Sequence, residues 1–483
     1  MNKRQLLLLG IILLVSFACD EDIIDETPLG GSTISQQRYN MLANLKIADS
    51  SNVITSDEAI NIVKITDILN GSQTKAQLKE VDDIVTLFND NGEVVMYAVN
   101  YKNNQGYTLI SASKNYYPIL AQVEYGNFND SVYSTGTSVI LGEYDYVLSN
   151  IEFLPIDTIN NMRKLWYPYE KRNNIPYQVT RTNEFDTFIV NTLQGWSNDE
   201  NVHDFYNLYD AQNRIPSSLY SAFCATAEGV SHPDYDYMTY SFVVESIERV
   251  SYNPDNYMLT TTWDQVFPYN NSVEELDSEN VPHPVGCGAV AMGQIMKYHQ
   301  WPNYFVWSYM PEKLDYSITG ETVLSNFLEE LAQNIRKEGS NIYISNITNV
   351  KNSLTEDYDY NSGCSIVVHN PQTTKSSLAN YGPVFMKGLT ADEAGHAWVC
   401  DGYGYTQHRI VYELYVISTS NTLEYTTAGD PVYGEMINSG EFFHMNWGWN
   451  GLYNGWFVSN SSATSVIQGY TENRKDLVNI RPN

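Results

Sequence analysis

The sequence predicts an α+β chain in two parts, and three observations carry that expectation. A capping box at Thr55 to Glu58 opens a helical spacing of apolar residues that leads into two strand-like runs. A stretch of small and apolar residues starting at Cys287 reads as a tightly packed, buried helix. Two later stretches, around His396 and around Asn446, alternate like strands. Helix and strands thus occur together in each half, without the regular βαβ alternation of a parallel sheet.

Length and charge set the frame. At 483 residues and 54.9 kDa the chain is about three times a usual domain, so two or three domains are expected. Hydrophobic residues make up 43%, enough for real cores. The formal charge of −30 repels phosphate backbones and argues against a nucleic-acid partner. The charge is spread along the chain: residues 251–483 hold 11 basic and 25 acidic groups. Five cysteines, an odd number with no CxxC, rule out a fully paired disulfide framework.

The first element is an export signal over 1–18. Lys3 and Arg4 supply its positive end, and Leu6 to Phe17 an apolar stretch of about twelve residues, too short to span a bilayer of roughly 30 Å. Ala18-Cys19 resembles a bacterial lipobox, although Ser16 stands where Leu or Val is commoner. Cys19 would then be the lipidated first residue, anchoring the chain at the outer membrane or cell surface of a Gram-negative bacterium. The alternative is plain secretion with cleavage after Ala18. Asp20-Glu21-Asp22 resembles the acidic tag of surface lipoproteins.

Residues 19–49 are polar and fit a tether. After the capping box, Ala59, Ile62, Val63, Ile65 and Ile68 line one helical face, and Asn70-Gly71 ends the helix. Val94 to Val99 and Tyr107 to Ala112 are strand-like, and Asn103 to Gly106 between them reads as a hairpin turn. This small unit has no His or Cys and so no catalytic set. Residues 140–250 are rich in aromatics and give no clear pattern; Lys171-Arg172 and Arg249 there could be processing points or ordinary surface residues.

The chemistry concentrates after residue 280. Pro284 and Gly286 mark a loop, and Cys287 then occupies the first turn of a helix closed by Pro302. There a thiol feels the positive end of the macrodipole and unpaired N–H groups, which favour the nucleophilic thiolate. A small buried packing residue is the equal alternative on this segment alone. A thiolate needs a base. His299 lies about 18 Å along the same helix. His203 and His232 precede the motif, and His369 and His408 sit in polar stretches. His283, His396 and His444 remain. His396 is favoured: Gly395 leaves room beside the ring, and Gly402 ends its strand. On a strand His396 and Cys400 are about 13 Å apart, so one metal ion cannot bridge them. Asn446 shares a strand face with His444, while Trp447 faces the other way. An amide can fix an imidazole's tautomer and indoles can shield the bond, with an ordinary aromatic strand as the alternative. His444 stays a second candidate for the functional histidine.

These segments, in this order, resemble the streptopain family of papain-like cysteine peptidases. The likeness lies in Gly286-Cys287 and the helix behind it, in Gly395 to Tyr403, and in Asn446-Trp447-Gly448-Trp449. A fourth piece, Trp263 to Asn270, resembles the opening of the family's mature domain. The resemblance implies a papain-like fold over 251–483, with the Cys helix packed on an antiparallel sheet that carries the histidine. It makes Cys287 the nucleophile and His396 the general base and acid. Gln265 and the Cys287 N–H would form the oxyanion hole, and Asn446 and Trp447 would orient and shield His396. No metal or cofactor is implied. Residues 50–130 resemble the hairpin core of the family's inhibitory prodomain, which would occupy the region 50–250. Asn341 to Asn370 shows no counterpart of the family's glycine-rich loop, a segment that shapes substrate pockets in relatives.

The expected function is therefore a secreted or surface-anchored cysteine endopeptidase made as a zymogen, acting on proteins or peptides and restrained by its own prodomain. The alternatives are a catalytically silent peptidase-like binding or inhibitor lipoprotein, and a cysteine amidase acting on cell-wall peptides.

Overall fold

The computed structural model describes residues 45–47, 51–70, 79–129, 135–170, 191–193, 195–196, 202–230, 239–251, 257–336, 346–389, 395–418, 424–427, 430–459 and 474–483. The expected export signal with Cys19, most of the expected tether, Lys171-Arg172 and His232 lie outside them.

Helix α1 (Ser56–Asn70) starts at the expected capping box: Glu58 accepts from the Thr55 N–H at 2.9 Å, and Thr55 Oγ1 accepts from the Glu58 N–H at 3.3 Å. Its buried Ala59, Ile62, Val63 and Ile65 pack on a four-stranded antiparallel meander of β1 (Val81–Phe88), β2 (Val94–Tyr101), β3 (Tyr107–Ser111) and β4 (Ile119–Val123). The expected hairpin is β2–β3, and β1 and β4 extend it on either side. The turn needs a glycine at 106, where φ is +88° and a Cβ would sit 1.8 Å from the Val123 carbonyl oxygen.

Two helices follow, α2 (Thr135–Ser149) and α3 (Ile156–Lys164). The region without a clear sequence pattern, 140–250, holds most of α2 and all of α3, and goes on to form β5 (Val202–Asn207), α4 (Ser217–Val230) and β6 (Thr239–Ser251). Next come α5 (Cys287–His299), α6 (Val323–Ile335), β7 (Ser365–Val368), α7 (Pro371–Tyr381) and β8 (Val384–Leu389). Strands β9 (Gly395–Ser418), β10 (Glu424–Thr427), β11 (Val432–Asn446), β12 (Gly455–Val458) and β13 (Lys475–Val478) complete the chain.

The strands make one sheet in the order β1-β2-β3-β4-β12-β11-β9-β8-β13-β7. The N-terminal meander is therefore not a separate sheet. β4 pairs antiparallel with β12, Val123 opposite Gly455, so closely that a Cβ at 455 would meet the Gln122 carbonyl at 2.4 Å. β9 is 24 residues long and does two jobs. Its first part pairs with β8 and carries His396; its far part pairs with β6, Thr239 opposite Ser418 through Ser251 opposite Gln407. His408, read from sequence as lying in a polar loop, is on that far part opposite Ile437 of β11.

Alternation along β9 sends side chains to two cores. Ala397 and Val399 join Trp263, Ile295, Met296, Leu328 and Leu331 beneath α5 and α6. Trp398 and Cys400 join Phe443, Met445 and Trp447 on the opposite face, where Leu109, Val123, Val139, Ile140 and Tyr144 from the N-terminal part cover them. Burying each such aliphatic or Phe side chain is worth about 1.5–3 kcal/mol, so α2 and the meander are held to this face chiefly by apolar area.

Candidate active site

Cys287 is the first residue of α5, and Gly286 before it has φ 90° and ψ 143°, a conformation that favours glycine. The turn sets the thiol at the helix N-terminus, half-buried, while the next nine residues are fully enclosed. Small residues in α5 let α6 approach: a Cβ at Gly293 would lie 3.1–3.2 Å from Phe327, Leu328 and Leu331.

β9 runs past this helix end. The Ala397 N–H points at Cys287 Sγ, 3.3 Å away, and the His396 side chain is hydrogen-bonded to the thiol. Burial pushes the Cys287 thiol up. The charge of His396, its hydrogen bond, the Ala397 N–H and the charge of Lys387 together outweigh burial and hold the thiol below its ordinary value.

His396 is itself buried, 3% exposed. Its Nε2 lies 3.0 Å from the Trp447 carbonyl oxygen. That contact needs a proton on Nε2 and leaves Nδ1 for the thiol. The Trp449 indole N–H also reaches Nε2, at 3.3 Å, but one nitrogen cannot donate to the carbonyl and accept from the indole together, and the shorter contact defines the tautomer. The indoles of Trp398, Trp447 and Trp449 have centroids 5.9–6.3 Å from the imidazole. Trp447 is held in turn by Asn454, which accepts from its backbone N–H, and by the Tyr453 carbonyl, which accepts from its indole.

The amide expected to orient the histidine does something else. Asn446 Nδ2 donates to the Thr261 carbonyl at 2.8 Å, and Asn446 Oδ1 accepts from Gln294 Nε2 at 3.3 Å and from the Gly448 N–H at 3.2 Å. Gln294 accepts from Thr261 Oγ1 at 2.9 Å. All three side chains are buried, so their polar atoms satisfy one another and tie α5, the end of β11 and the extended segment before Trp263 together. The imidazole is bonded instead by a backbone carbonyl, one residue further along, which side-chain pattern could not reveal.

Gln265 is placed by its backbone: its carbonyl accepts from the Val285 N–H at 2.9 Å, lacing its segment to the loop that carries Cys287. Asp264 Oδ1 caps the Gln265 N–H at 2.7 Å, and the fully buried Trp263 donates to the Pro311 carbonyl.

His444, the second histidine candidate, is committed elsewhere. Its Nδ1 is 2.7 Å from Asp401, and its ring stacks on Tyr257 with centroids 3.9 Å apart and planes 7° apart. Gly402 makes room for the stack, since a Cβ there would meet both residues within 3.0 Å. His299 contacts the Tyr381 carbonyl beyond the far end of α5, and His369 bonds Asp476 at 2.8 Å. Cys400 and Cys364 are buried core thiols, and burial pushes both up; Cys224 is half-buried on α4. Among the described residues all four cysteines are free. Lys387 escaped sequence reading, although its place in an alternating run with Phe385 was a usable signal.

Comparison with known proteins adds family context. Residues 263–309 and 303–457 match the model of the peptidase C10 family, and residues 51–147 match that of the Spi protease inhibitor. The thiol protease/hemagglutinin PrtT of Porphyromonas gingivalis is 24% identical over 261 residues, covering 46% of this chain; the chain spans 26% of that relative's length. Among solved structures, a prointerpain A fragment from Prevotella intermedia is 16% identical over 83% of this chain and 99% of its own, with TM-score 0.42. Active interpain A from the same organism is 18% identical over 47% of this chain and 94% of its own, with TM-score 0.28. The cysteine helix, the histidine strand and the tryptophan turn all lie inside the region that matches the peptidase C10 family, and the match to the Spi-type inhibitor precedes it.

Proposed function

We propose that the chain is an exported cysteine endopeptidase made as a zymogen. The observation that carries the reading is the convergence on one sulfur of a helix N-terminus, the Ala397 N–H and the His396 ring. The Cys287 thiolate attacks the scissile carbonyl, and His396 Nδ1–H passes its proton to the leaving amine, giving a thioester. The imidazole then takes a proton from water as it attacks the thioester, and returns it to the sulfur. The Cys287 N–H and the Gln265 amide stabilise the oxyanion; such a donor is worth about 3 kcal/mol in other enzymes. Trp447, through its carbonyl, keeps the proton on Nε2, and Asn446 holds the framework behind it.

The inhibitor-like segment supports the zymogen part. Its helix α2 places Val139 over Gly388, the residue paired with His396, and its strand β4 occupies the edge of β12. For location, the reading is lipidation at Cys19 and attachment to the outer membrane, supported by the signal-like sequence; metabolic labelling with a palmitate analogue should tag wild-type chain and not Cys19→Ala.

The test of the activity is casein hydrolysis by full-length chain and by its processed form, freed of the inhibitor-like segment, with and without an irreversible thiol inhibitor. Hydrolysis should require Cys287, and the inhibitor should modify Cys287 before Cys224, Cys364 or Cys400. Undiminished hydrolysis by Cys287→Ala, or release of cell-wall peptides with casein untouched, would overturn it.

A further inference from the structure

We infer, resting on the reading of Cys287 and His396 as nucleophile and base, that Gln294 is a positioning residue for that pair. Through the Asn446 amide it fixes the peptide unit whose carbonyl holds the His396 ring.

Residues 288–296 of α5 are fully enclosed, and Gln294 is the one polar side chain among them, with none of its surface exposed. A buried amide is costly unless it is bonded, and an aliphatic side chain would avoid that cost. Gln294 stands seven residues after Cys287 and four after Val290, spacings that put all three on one face of α5. Each of them meets the surroundings of the histidine. Cys287 Sγ accepts from the N–H of Ala397, the residue after His396. Val290 packs on Gly448, where a Cβ would lie 3.0 Å from its Cγ1. Gln294 Nε2 donates to Asn446 Oδ1 at 3.3 Å.

The link to the imidazole is a single peptide unit. Asn446 Oδ1 also accepts from the Gly448 N–H at 3.2 Å. That N–H belongs to the same planar unit as the Trp447 carbonyl, and in a trans peptide the two point to opposite sides. One side of the unit is therefore held by the Asn446 oxygen, and the other reaches His396 Nε2 at 3.0 Å. The amide has to face one way for this: turned over, its NH2 would meet the Gly448 N–H, donor against donor. Gln294 sets that direction. Its own oxygen accepts from Thr261 Oγ1 at 2.9 Å, which leaves its NH2 to seek an acceptor. Asn446 Nδ2 in turn donates to the Thr261 carbonyl at 2.8 Å. A carbonyl aimed at Nε2–H favours the imidazolium over the neutral ring, because the bond is then charge-assisted. The imidazolium is the partner of the thiolate, so Gln294 supports the ionised pair from about 10 Å down the helix.

The test follows alkylation of Cys287 in full-length chain by neutral iodoacetamide as a function of pH, with the modified thiol identified by peptide mass mapping. The rate rises as thiolate forms, and the midpoint of that rise, unlike its plateau, does not depend on the fraction of chain folded. Gln294→Met keeps the length of the side chain and removes its amide. It should move the midpoint up by about half a pH unit, roughly a threefold loss of thiolate at pH below the midpoint. Thr261→Val, which lets the Gln294 amide turn over, should move it in the same direction, whereas Thr261→Ser, which keeps the hydroxyl, should leave it in place. A midpoint unmoved in Gln294→Met, whatever the change in thermal stability, would overturn the positioning role and leave Gln294 as packing. Wild-type chain in which Cys287 reacts no faster than the half-buried Cys224 would instead overturn the reading of the catalytic pair.

Discussion

Replacing Glu143 with glutamine should loosen the inhibitor segment from the peptidase sheet. Glu143 on α2 and Arg474 just before β13 are 7% and 6% exposed and meet at 2.9 Å. The guanidinium also touches Met386 Sδ at 3.4 Å and lies 5.6 Å from the Trp398 ring. Burial works against the Arg474 charge, but Glu143 and then Asp476 outweigh it and keep the guanidinium firmly protonated. Glu143→Gln thus leaves a buried cation without its nearest carboxylate, a change that costs about 3–5 kcal/mol in buried pairs. Asp476 still offers part of the compensation, so the low end applies: about 3 kcal/mol, or roughly 150-fold in the equilibrium for lifting α2 off the sheet. Cys400 reports that lifting, because it is fully buried in the core that α2 covers. In chain carrying Cys287→Ala, a neutral thiol reagent under native conditions should modify Cys400 roughly 100-fold faster after Glu143→Gln. Glu143→Leu combined with Arg474→Met, which removes both charges, should return most of the protection. Labelling within threefold of the parent, or a double variant as labile as the single one, would refute the reasoning.

Two further outcomes can be checked alongside it. Gly388→Ala introduces a Cβ 2.6 Å from Val139 and 3.1 Å from Trp398, an overpacking that costs about 1–3 kcal/mol. Cys400 labelling should accelerate accordingly, and Val139→Ala should restore it; a Gly388→Ala chain that labels at the parent rate would show that α2 does not rest on the sheet there. Burial, and after it the charge of Asp204, pushes the Glu245 carboxyl up to about 7. A raised carboxyl binds its proton more tightly in the folded state, so its stabilising effect is complete below the ordinary value of 4.5 and is lost as pH rises through 7. Hydrogen exchange across β5 and β6, corrected for intrinsic rates, should show less protection at pH 8 than at pH 5, and Glu245→Gln should flatten that difference.

What the sequence made legible was local. The capping box of α1, the β2–β3 hairpin, the helix from Cys287 and the strand through His396 all rest on periodicity and turn residues within a few positions. β1 and β4 were not legible, nor was the joining of β4 to β12, because a strand's partner is chosen by packing and not by its own pattern. The same holds for β6, whose ladder to β9 links residues some 170 positions apart. His408 looked like loop because that part of β9, Tyr405 to Arg409, is polar and none of it is fully buried. At the site, the residue types were readable and their couplings only partly so. Cys287 and His396 do meet, whereas Asn446 spends its amide on Thr261 and Gln294, and the imidazole is held by a backbone atom with no sequence signature.

The pairing of β4 with β12 also bears on the order in which the molecule is built. About 330 residues separate Val123 from Gly455, roughly 20–60 s of ribosomal synthesis, during which β4 is made but lacks its neighbour. An unpaired edge of that kind invites association with other chains, so the nascent protein faces its greatest hazard before the peptidase half exists. The same order carries a safeguard. When β12 emerges, the strand that covers its edge is already made and tethered to it, and the tryptophan turn that bonds His396 immediately precedes β12. The support of His396 and the seat of the inhibitor-like segment are therefore completed together, by the same stretch of chain.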